Sequence, residues 1–396
     1  MPKPSERGLQ MPSSPIRKLA PYAIAAKEAG VKVYHLNIGQ PDLPTPQQGL
    51  DALKAVTRKT LEYSPSDGIP SLREKLTHYY AKFGIRLSPE EIIITTGGSE
   101  AILLSFLACL DPGDEIIAME PCYANYISFA RTAGIVVKTV TTTIENGFAL
   151  PSIEAFDAAI TPRTRAILLS NPNNPTGYVF NAEELQRLKE MVVRHDLFLI
   201  SDEVYREFVY NGVPFVSALT LGIDDHVIVI DSVSKRYSEC GVRVGMLVTH
   251  NRQVHDTVMK YCQARLSPPL LGQLVAEASL EGTEDYAAAC YQEYKARRDF
   301  FIQALNRIPG VYSPMPGGAF YTVASLPVED AEDFCRWCLT DFRYRGETVM
   351  MAPCAGFYRT PGLGRNEVRM AYVLKIEDLQ RALEVLQAAL EAYNNR

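Results

Sequence analysis

The sequence has none of the features that mark membrane-spanning, secreted or nucleic-acid-binding proteins. No apolar run approaches the length that crosses a bilayer. The first residues, MPKPSERGLQMPSSPIRKLAP, include no apolar stretch of the kind found in secretory signals. Acidic residues outnumber basic ones by 46 to 40, so the net charge is −6 and the surface repels phosphate backbones. We therefore expect no membrane or nucleic-acid partner, and we predict a cytoplasmic location.

Internal repeats, low-complexity tracts and long linkers are also absent from the sequence. Its eight cysteines are scattered rather than gathered into the spaced sets that bind a metal. Most of them, including Cys262, Cys290 and Cys335, lie in apolar helical patterns, where a buried thiol is the usual state. Because free thiols suit a reducing compartment, the cysteines agree with the cytoplasmic prediction. We predict no metal site.

Apolar residues are abundant enough to form a large core. With 396 residues, 47% of them apolar, the chain exceeds the usual size of one domain, so two packed lobes are expected. In the middle of the chain, helical stretches alternate with short apolar runs that predict strands at 92–96, 115–119, 135–140, 165–170, 197–201, 227–231 and 244–249. Several runs are apolar throughout, which is typical of strands buried on both faces. This alternation predicts an α/β fold with a mostly parallel sheet and helices on both faces.

The pattern changes after about residue 283. The clearest helix before that point is predicted at 182–195, with Asn181 as its N-cap. Beyond it, helices are predicted at 284–307, 328–342 and 377–393, and strands at 319–324 and 368–373. We predict an N-terminal arm at 1–45 that forms part of a small lobe, a large domain at 46–282 and a small C-terminal domain at 283–396. The proline-rich N-terminal segment lacks a periodicity of its own and is expected to wrap over the structure.

Polar segments follow several of the predicted strands, where parallel α/β sheets bind their ligands. TTGGSEA (95–101) runs from a strand through two glycines into a helix, a junction whose free N–H groups can hold an anion. Read alone, this segment is equally well an ordinary strand–helix turn. SNPNNPTG (170–177) has the composition of a tight turn.

Two further segments carry charge at strand ends. SDEVY (201–205) places Asp202 directly after an apolar strand, where an unpaired carboxylate is costly and a buried cation would relieve the cost. The alternative is surface charge after a strand. DSVSKRYSECGVRVG (231–245) surrounds Lys235 with serines and an arginine, the donors that bind a phosphate dianion. The alternative is an ordinary basic loop, because most lysines are solvated.

Taken together and in this order, the segments resemble the class I, aspartate-type, aminotransferases of the fold-type I superfamily, which use pyridoxal 5′-phosphate (PLP). The match is most specific in SNPNNPTG, SDEVY and SVSKRYSECGVRVG and in the spacing of Asn174, Asp202, Lys235 and Arg243. It covers nearly the whole chain. It implies a fold-type I PLP transferase with a mostly parallel seven-stranded central sheet and a smaller α/β lobe. Val242 departs from the pattern, since many relatives carry an aromatic residue there.

The resemblance implies a role for each residue around the cofactor ring. Lys235 would hold PLP as a Schiff base and, once freed, would move a proton between substrate and cofactor. Asp202 would keep the pyridine nitrogen protonated, while Asn174 and Tyr205 would hydrogen-bond the phenolic oxygen. Tyr123 would stack on the ring, although a core tyrosine is the alternative. The expected catalytic residues are Lys235, Asp202 and Tyr205.

The resemblance also implies a phosphate site shared between two subunits. Its members would be Gly98, Ser99, Ser232, Ser234 and Arg243, through backbone N–H groups, hydroxyls and a guanidinium. Tyr63 matches a tyrosine that reaches the phosphate of the neighbouring subunit. A homodimer with shared active sites is therefore expected, by analogy with the family.

For the substrate, the resemblance implies that Arg369 binds the α-carboxylate of an L-amino acid, with Gly39 and Asn174 beside it. The N-terminal lobe would then close over the bound substrate. The predicted reaction transfers an amino group from aspartate, as the first choice, to 2-oxoglutarate by a ping-pong route through pyridoxamine phosphate. A dicarboxylate needs a second cation, for which Arg265 and Arg17 are the candidates.

Other functions remain open at this point. Both candidate arginines are alternatively solvated, and if neither faces the pocket, an aromatic or broad-range amino acid becomes the better prediction, with Tyr123 and Phe357 lining the site. A lyase of the same fold, such as a C–S lyase, or a decarboxylase is the next alternative, because the scaffold alone does not decide which bond breaks. The last alternative is a PLP-binding regulator domain without catalysis. It would need a DNA-binding module, and the residues before Gly39 are too few and too proline-rich to form one.

Overall fold

The structure, a computed structural model, describes residues 2–210, 212 and 214–396. The strands in chain order are β1 (Lys32–His35), β2 (Ile92–Thr95), β3 (Glu115–Glu120), β4 (Val136–Thr141), β5 (Thr164–Ser170), β6 (Phe198–Asp202), β7 (Val227–Ser232), β8 (Gly245–Val248), β9 (Tyr321–Ser325), β10 (Glu347–Met350), β11 (Ala352–Pro353) and β12 (Glu367–Ala371). The helices are α1 (Glu6–Leu9), α2 (Ala20–Glu28), α3 (Gln47–Lys54), α4 (Pro70–Ala81), α5 (Gly98–Cys109), α6 (Asn125–Ala133), α7 (Ile153–Ala159), α8 (Ala182–Arg194), α9 (Val233–Arg236), α10 (Arg252–Arg265), α11 (Leu270–Ser279), α12 (Glu284–Leu305), α13 (Ala331–Thr340) and α14 (Ile376–Asn394).

Strands β2 to β8 form a seven-stranded central sheet in the order β2-β8-β7-β6-β5-β3-β4. Its neighbouring strands are parallel except for β8, which is antiparallel to both β2 and β7. Every residue of β2, β3, β7 and β8 is buried, as their Ile- and Val-rich sequences require. The predicted α/β fold with a mostly parallel seven-stranded sheet is therefore confirmed. Each predicted strand of this sheet is present, with no end shifted by more than one residue.

Helices cover both faces of the central sheet. On one face, Leu185 and Leu188 of α8 pack in a cluster with α4 and the sheet. On the other face, residues of α5, α6 and α10 form a second cluster. Helix α8 begins where the sequence predicts, because Asn181 Oδ1 accepts a hydrogen bond from the Glu184 N–H at 2.9 Å while Glu184 accepts from the Asn181 N–H at 2.9 Å.

A separate apolar cluster holds the C-terminal part of the chain together. Helices α12, α13 and α14 pack there with the antiparallel sheet β11-β12-β9. The helices predicted at 284–307, 328–342 and 377–393 and the strands predicted at 319–324 and 368–373 all have counterparts in it. The division of the chain at residues 45 and 283 stays a prediction.

The N-terminal segment contains regular elements that its sequence, which lacks a periodicity of its own, does not predict. It forms α2 and β1, and β1 pairs in parallel with β10. In α2 the small residues Ala23 and Ala26 are buried while the larger Tyr22 and Ile24 are exposed. This is the reverse of the usual amphipathic pattern, so the spacing of apolar residues does not predict the helix. Leu19, like β1, joins the C-terminal apolar cluster.

All eight cysteines are free thiols. One pair, Cys335 and Cys338 in α13, does have the Cys-x-x-Cys spacing, which corrects the expectation that the cysteines are all scattered. Both thiols are fully buried, and burial raises the pKa of each, so they pack as apolar side chains. Within the described ranges, no helix is long and apolar enough to cross a membrane.

Candidate active site

Three neighbouring parallel strands end at one edge of the central sheet and bring polar residues together there. Ser170, at the end of β5, is the register partner of Asp202, at the end of β6. Strand β7 ends at Ser232, and α9, which carries Lys235, follows directly. The backbone N–H of Asn174 lies 3.4 Å from the Ser170 hydroxyl oxygen. This edge is where sheets of this type bind their ligands.

Asp202 is a buried carboxylate, only 6% exposed. Tyr126 donates its hydroxyl to Oδ2 of Asp202 at 2.7 Å, and the Val204 N–H donates to Oδ1 at 3.4 Å. Burial raises the pKa of Asp202 to about 6, although these hydrogen bonds and the positive charge of Lys235 act in the opposite direction. A buried carboxylate of this kind is suited to pair with a cation that enters the site.

Lys235 is half-buried and connects the strand ends to the N-terminal segment. Its Nζ donates to the carbonyl oxygen of Gly39 at 3.0 Å and lies 3.8 Å from Sγ of Cys240. The next residue, Arg236, is buried and donates to Oδ2 of Asp231 at 2.6 Å. This ion pair fixes the short helix α9 to the end of β7, and it therefore fixes the position of Lys235.

The first turn of α5 and Arg243 form one rim of the site. Gly97, the N-cap of α5, has a φ of +76°, and a Cβ on it would overlap the guanidinium of Arg243. Arg243 donates to the carbonyl oxygens of Cys240 at 3.0 Å and Thr96 at 3.3 Å. Because the first N–H groups of a helix have no acceptor within the helix, those of Gly98 and Ser99, which follow Gly97, are available to an anion. An anion would be bound well there.

The two predicted phosphate-binding serines lie side by side but differ in their hydrogen bonds. Ser232 caps α9, accepting from the Ser234 N–H at 3.1 Å, and its Oγ lies 2.9 Å from the Val244 carbonyl oxygen. Its hydroxyl also lies 2.8 Å from that of Ser234. Ser232 therefore positions Ser234 and α9 within the chain, a role that its position in the motif did not predict.

Arg369 is buried in the middle of β12, with 1% exposure. It donates to Oδ1 of Asn174 at 3.2 Å and to the carbonyl oxygen of Asn37 at 2.5 Å. Its guanidinium carbon lies 4.5 Å from the ring centroid of Tyr321 and 5.2 Å from that of Phe357. No acidic side chain pairs with it among the described residues, so a buried positive charge is available to an anionic ligand.

Aromatic side chains complete the site. The hydroxyl oxygens of Tyr205 and Tyr321 are 3.0 Å apart, and burial, followed by Tyr321, raises the pKa of Tyr205 well above its usual value. Tyr123 meets Tyr126 edge to face, with ring centroids 5.3 Å apart. Burial and then Tyr321 raise the pKa of Tyr123 to about 12, while the positive charges of Arg369 and Arg17 act against the rise.

Three predicted residues lie outside this group of contacts. Tyr63 is 78% exposed. Arg265 donates to the carbonyl oxygen of Ser66 at 3.0 Å and lies 3.7 Å from Glu100, so its charge already has a partner. Arg17 is exposed, and its side chain forms no hydrogen bond or ion pair with another residue in the described part of the chain.

Tyr126 and Tyr321 were missed by the sequence analysis. Tyr126 belongs to a helix and Tyr321 to a strand that both read as core. The available signal was the hydroxyl group itself, because a buried tyrosine needs a hydrogen-bond partner. Only the fold shows that the partners are Asp202 in one case and Tyr205 and Gly39 in the other.

Comparison with known proteins agrees with this geometry. Residues 31–386 match the family model for aminotransferase class I and II. The chain is 34% identical to a probable aspartate/prephenate aminotransferase of Thermus aquaticus over 93% of this chain and 94% of that protein. Among solved structures, a single mutant of Thermus thermophilus aspartate aminotransferase superposes with a TM-score of 0.89 at 31% identity, covering 98% of this chain and all of that one. An alanine aminotransferase from Pyrococcus furiosus also has a TM-score of 0.89, at 29% identity, with 98% and 100% covered.

The residues at the strand ends fit the cofactor that this family uses, PLP. A lysine amine, a buried carboxylate with a raised pKa, and a helix N-terminus beside an arginine supply the three contacts that an aldehyde, a pyridine nitrogen and a phosphate require. The chain therefore belongs to the class I and II aminotransferases, and it is a PLP-dependent aminotransferase of fold type I.

Proposed function

We propose that this enzyme transfers the amino group of aspartate to 2-oxoglutarate in two half-reactions of a ping-pong cycle. The observation that carries the proposal is Arg369, a buried guanidinium without an acidic partner in the described chain, set beside Asn174 and the strand ends that hold Lys235 and Asp202. Its planar donors suit the α-carboxylate of an amino acid. Relatives named aspartate or aspartate/prephenate aminotransferases support the choice of aspartate.

Each side chain has a role that follows from its contacts. PLP, when bound, supplies an electron sink for the bond broken at the substrate Cα. Lys235 would hold the cofactor and then carry a proton to and from Cα. Asp202, kept in place by Tyr126, would retain a proton on the pyridine nitrogen. Since Arg369 occupies Oδ1 of Asn174, the amide nitrogen of Asn174 is free to donate, together with Tyr205, to the phenolic oxygen.

A second cation for the side-chain carboxylate is better supplied by Arg17 than by Arg265. The Arg17 side chain is exposed, has no hydrogen-bond or ion-pair partner in the described chain and is close enough to Tyr123 to oppose the rise in the pKa of Tyr123. The neighbouring carbonyl of Ile16 accepts a hydrogen bond from Asn37 at 3.2 Å, and Asn37 in turn binds Arg369. Arg17 is thus joined to Arg369 through two residues, Ile16 and Asn37.

The homodimer belongs to the same proposal. Leu61, Tyr63 and Leu266 expose large apolar surfaces, and their segments are joined by a hydrogen bond from the Ser66 hydroxyl to the Leu266 carbonyl at 2.6 Å. Exposed large apolar side chains in neighbouring segments are a feature of subunit interfaces. A second subunit covering it would place Tyr63 against the partner's active site, and light scattering should give the mass of two chains.

Single-turnover measurements test the proposal. Mixing the PLP enzyme with aspartate, glutamate, phenylalanine or alanine should convert bound PLP stoichiometrically into pyridoxamine phosphate, fastest with aspartate. A β-lyase would release product without this conversion. Faster conversion by phenylalanine or alanine would remove the dicarboxylate preference while leaving transamination intact.

Arg17→Ala provides the sharper test of specificity. It should lower the ratio of the single-turnover rate constant to the dissociation constant for aspartate about 10- to 100-fold, which is what one charge-assisted hydrogen-bond pair contributes. The same ratio for alanine should be unchanged. Arg307→Ala, which removes another exposed arginine, is the matched control. An undiminished aspartate preference in Arg17→Ala would remove Arg17 from the site.

A further inference from the structure

Tyr321 is a buried tyrosine at the start of β9 that contacts several parts of the active site at once. It is 3% exposed. Its hydroxyl oxygen lies 3.0 Å from that of Tyr205 and 3.3 Å from the carbonyl oxygen of Gly39. Its ring centroid lies 4.5 Å from the guanidinium carbon of Arg369. One side chain thus connects the N-terminal segment, a cofactor-side tyrosine and the carboxylate site.

The contact with Gly39 leaves no room for a larger residue there. A Cβ at Gly39 would overlap Oη, Cζ and Cε1 of Tyr321. The carbonyl oxygen of Gly39 accepts from two donors, the Tyr321 hydroxyl and Nζ of Lys235 at 3.0 Å. A carbonyl oxygen has two lone pairs, so both bonds can be held together.

The same short segment is also fixed by Arg369. Arg369 donates to the carbonyl oxygen of Asn37, two residues before Gly39. The two anchors of segment 37–39, Arg369 and Tyr321, stack on each other. A movement of segment 37–39 therefore cannot leave either the guanidinium or the Lys235 amine undisturbed.

We propose that Tyr321 is a positioning residue that holds segment 37–39 in place relative to both Arg369 and Lys235. It takes no part in bond making. Its hydroxyl fixes the carbonyl that Lys235 uses, and its ring, packed on one face of the guanidinium, fixes the orientation of the edge that binds the carboxylate. This inference rests on the proposed function, in which Arg369 binds the α-carboxylate and Lys235 moves the proton.

Removing only the hydroxyl of Tyr321 separates the contribution of the hydroxyl from that of the ring. In Tyr321→Phe the ring stays against Arg369, so the dissociation constant of an unreactive carboxylate should stay within about threefold of wild type. The turnover number kcat should fall about tenfold, because the hydrogen bonds of the hydroxyl to Tyr205 and to the Gly39 carbonyl, which also accepts from Lys235, are lost. The probe is succinate if the wild type prefers dicarboxylates and 3-phenylpropionate if it does not.

Tyr372→Phe is the matched control. Tyr372 is fully buried, and its hydroxyl donates to the Ala319 carbonyl at 3.1 Å. This variant measures how much kcat and carboxylate affinity change when a buried tyrosine outside the site loses its hydroxyl. If Tyr321→Phe and Tyr372→Phe have the same kcat and the same carboxylate affinity, Tyr321 is only a core residue and the proposal is wrong.

A double-mutant cycle tests the packing contact independently. Gly39→Ala should weaken binding of the unreactive carboxylate at least tenfold in wild type, because the new methyl group displaces the Tyr321 ring from Arg369. In a Tyr321→Ala background the same change should have an effect at least threefold smaller, since the ring is already absent. Equal effects in both backgrounds would overturn the proposal.

The readouts do not depend on which amino acid is the substrate. Turnover is measured with the amino acid that wild type uses fastest, so a failure with aspartate leaves the test intact. If wild type shows no transamination at all, the proposed function fails, while the carboxylate affinities still report on Tyr321.

Discussion

Polar side chains in this site each use part of their hydrogen-bonding capacity within the chain and keep the rest for a ligand. Asn174 binds Arg369 through its oxygen, which leaves its amide nitrogen free. Arg369 has no hydrogen-bond partner for its buried Nε within the described residues. Such groups are oriented before a ligand arrives, so binding costs little conformational entropy.

In the proposed mechanism, Lys235 is the residue on which the chemistry depends most directly. Lys235→Ala should keep PLP through the contacts around α5 and Arg243 but lose transamination. In wild type, borohydride should bleach the visible absorbance band and attach the cofactor to Lys235, as seen by mass spectrometry of the peptide. A Lys235→Ala enzyme with near-native turnover would refute the assignment.

Asp202 can be tested by a change that keeps its shape. Asp202→Asn preserves the bond to Tyr126 but removes the negative charge, so a protonated pyridine nitrogen loses its partner. Turnover should fall roughly 100-fold or more, the usual loss when a preorganised electrostatic contact is removed. Circular dichroism checks that the fold is unchanged. Activity close to wild type would mean that Asp202 does not pair with the cofactor.

Arg369 should affect the substrate rather than the cofactor. Arg369→Ala is expected to raise KM about 100-fold, because a bidentate charge-assisted contact is lost, while the absorbance spectrum of bound PLP stays the same. Arg369→Lys keeps the charge without the planar donors and should recover only part of the affinity. Release of PLP with unchanged substrate affinity would contradict this assignment.

Among the elements, α5 begins at a backbone position that the site constrains closely. Gly97→Ala should weaken PLP binding at least about tenfold, because the methyl group both disfavours the positive φ and displaces Arg243. Gly84→Ala is the matched control, since Gly84 also has a positive φ, +72°, but open space around it. Fluorescence titration of the apoenzyme with PLP measures the difference. Equal losses in both variants would show that Arg243 is not involved.

The sequence predicts strands well where every residue is buried, and poorly where a strand pairs with a partner far away in the chain. The strands of the central sheet are apolar runs buried on both faces, so each is visible in the sequence by itself. Strand β1 has four residues, only one of them buried, and its partner β10 is far away in the chain. Short strands of this kind are defined by their neighbours rather than by their own residues.

The same distinction applies to the site. Asp202 and Lys235 follow recognisable strands within distinctive motifs and could be identified before the fold was known. Tyr321 lies in β9 and reaches Gly39 from a distant part of the chain. No local pattern encodes that contact, because it depends on how the C-terminal cluster is placed against the strand ends.

At the scale of the whole molecule, stability should depend on pH through Glu239. Burial raises the pKa of Glu239 to about 7 from 4.5, although a hydrogen bond from Ser279 acts against the rise. Since the folded-state pKa is the higher one, this contribution to stability is complete below about pH 4.5 and is lost as pH rises through about 7. The loss is about 3 kcal/mol at most.

Glu239→Gln should therefore unfold at a higher denaturant concentration than wild type at pH 8 and at nearly the same concentration at pH 4.5. Asp202 also has a raised pKa, but it is present in both proteins and cancels in the comparison. Urea titrations of the two apoenzymes at both pH values measure the difference. A gap of the same size at both pH values would show that folding does not raise the pKa of Glu239.

The parallel pairing of β1 with β10 has a consequence for the order of events during synthesis. Tyr34 of β1 bonds to Glu347, 313 positions further along the chain, at 2.9 Å. The partner strand of β1 is therefore synthesised only after most of the polypeptide has left the ribosome. During that interval the apolar residues Leu19, Tyr34 and Leu36 of the N-terminal segment have no permanent cover. A nascent chain stalled before β10 should accordingly be bound by chaperones at its N-terminal segment, and one stalled beyond α14 should not.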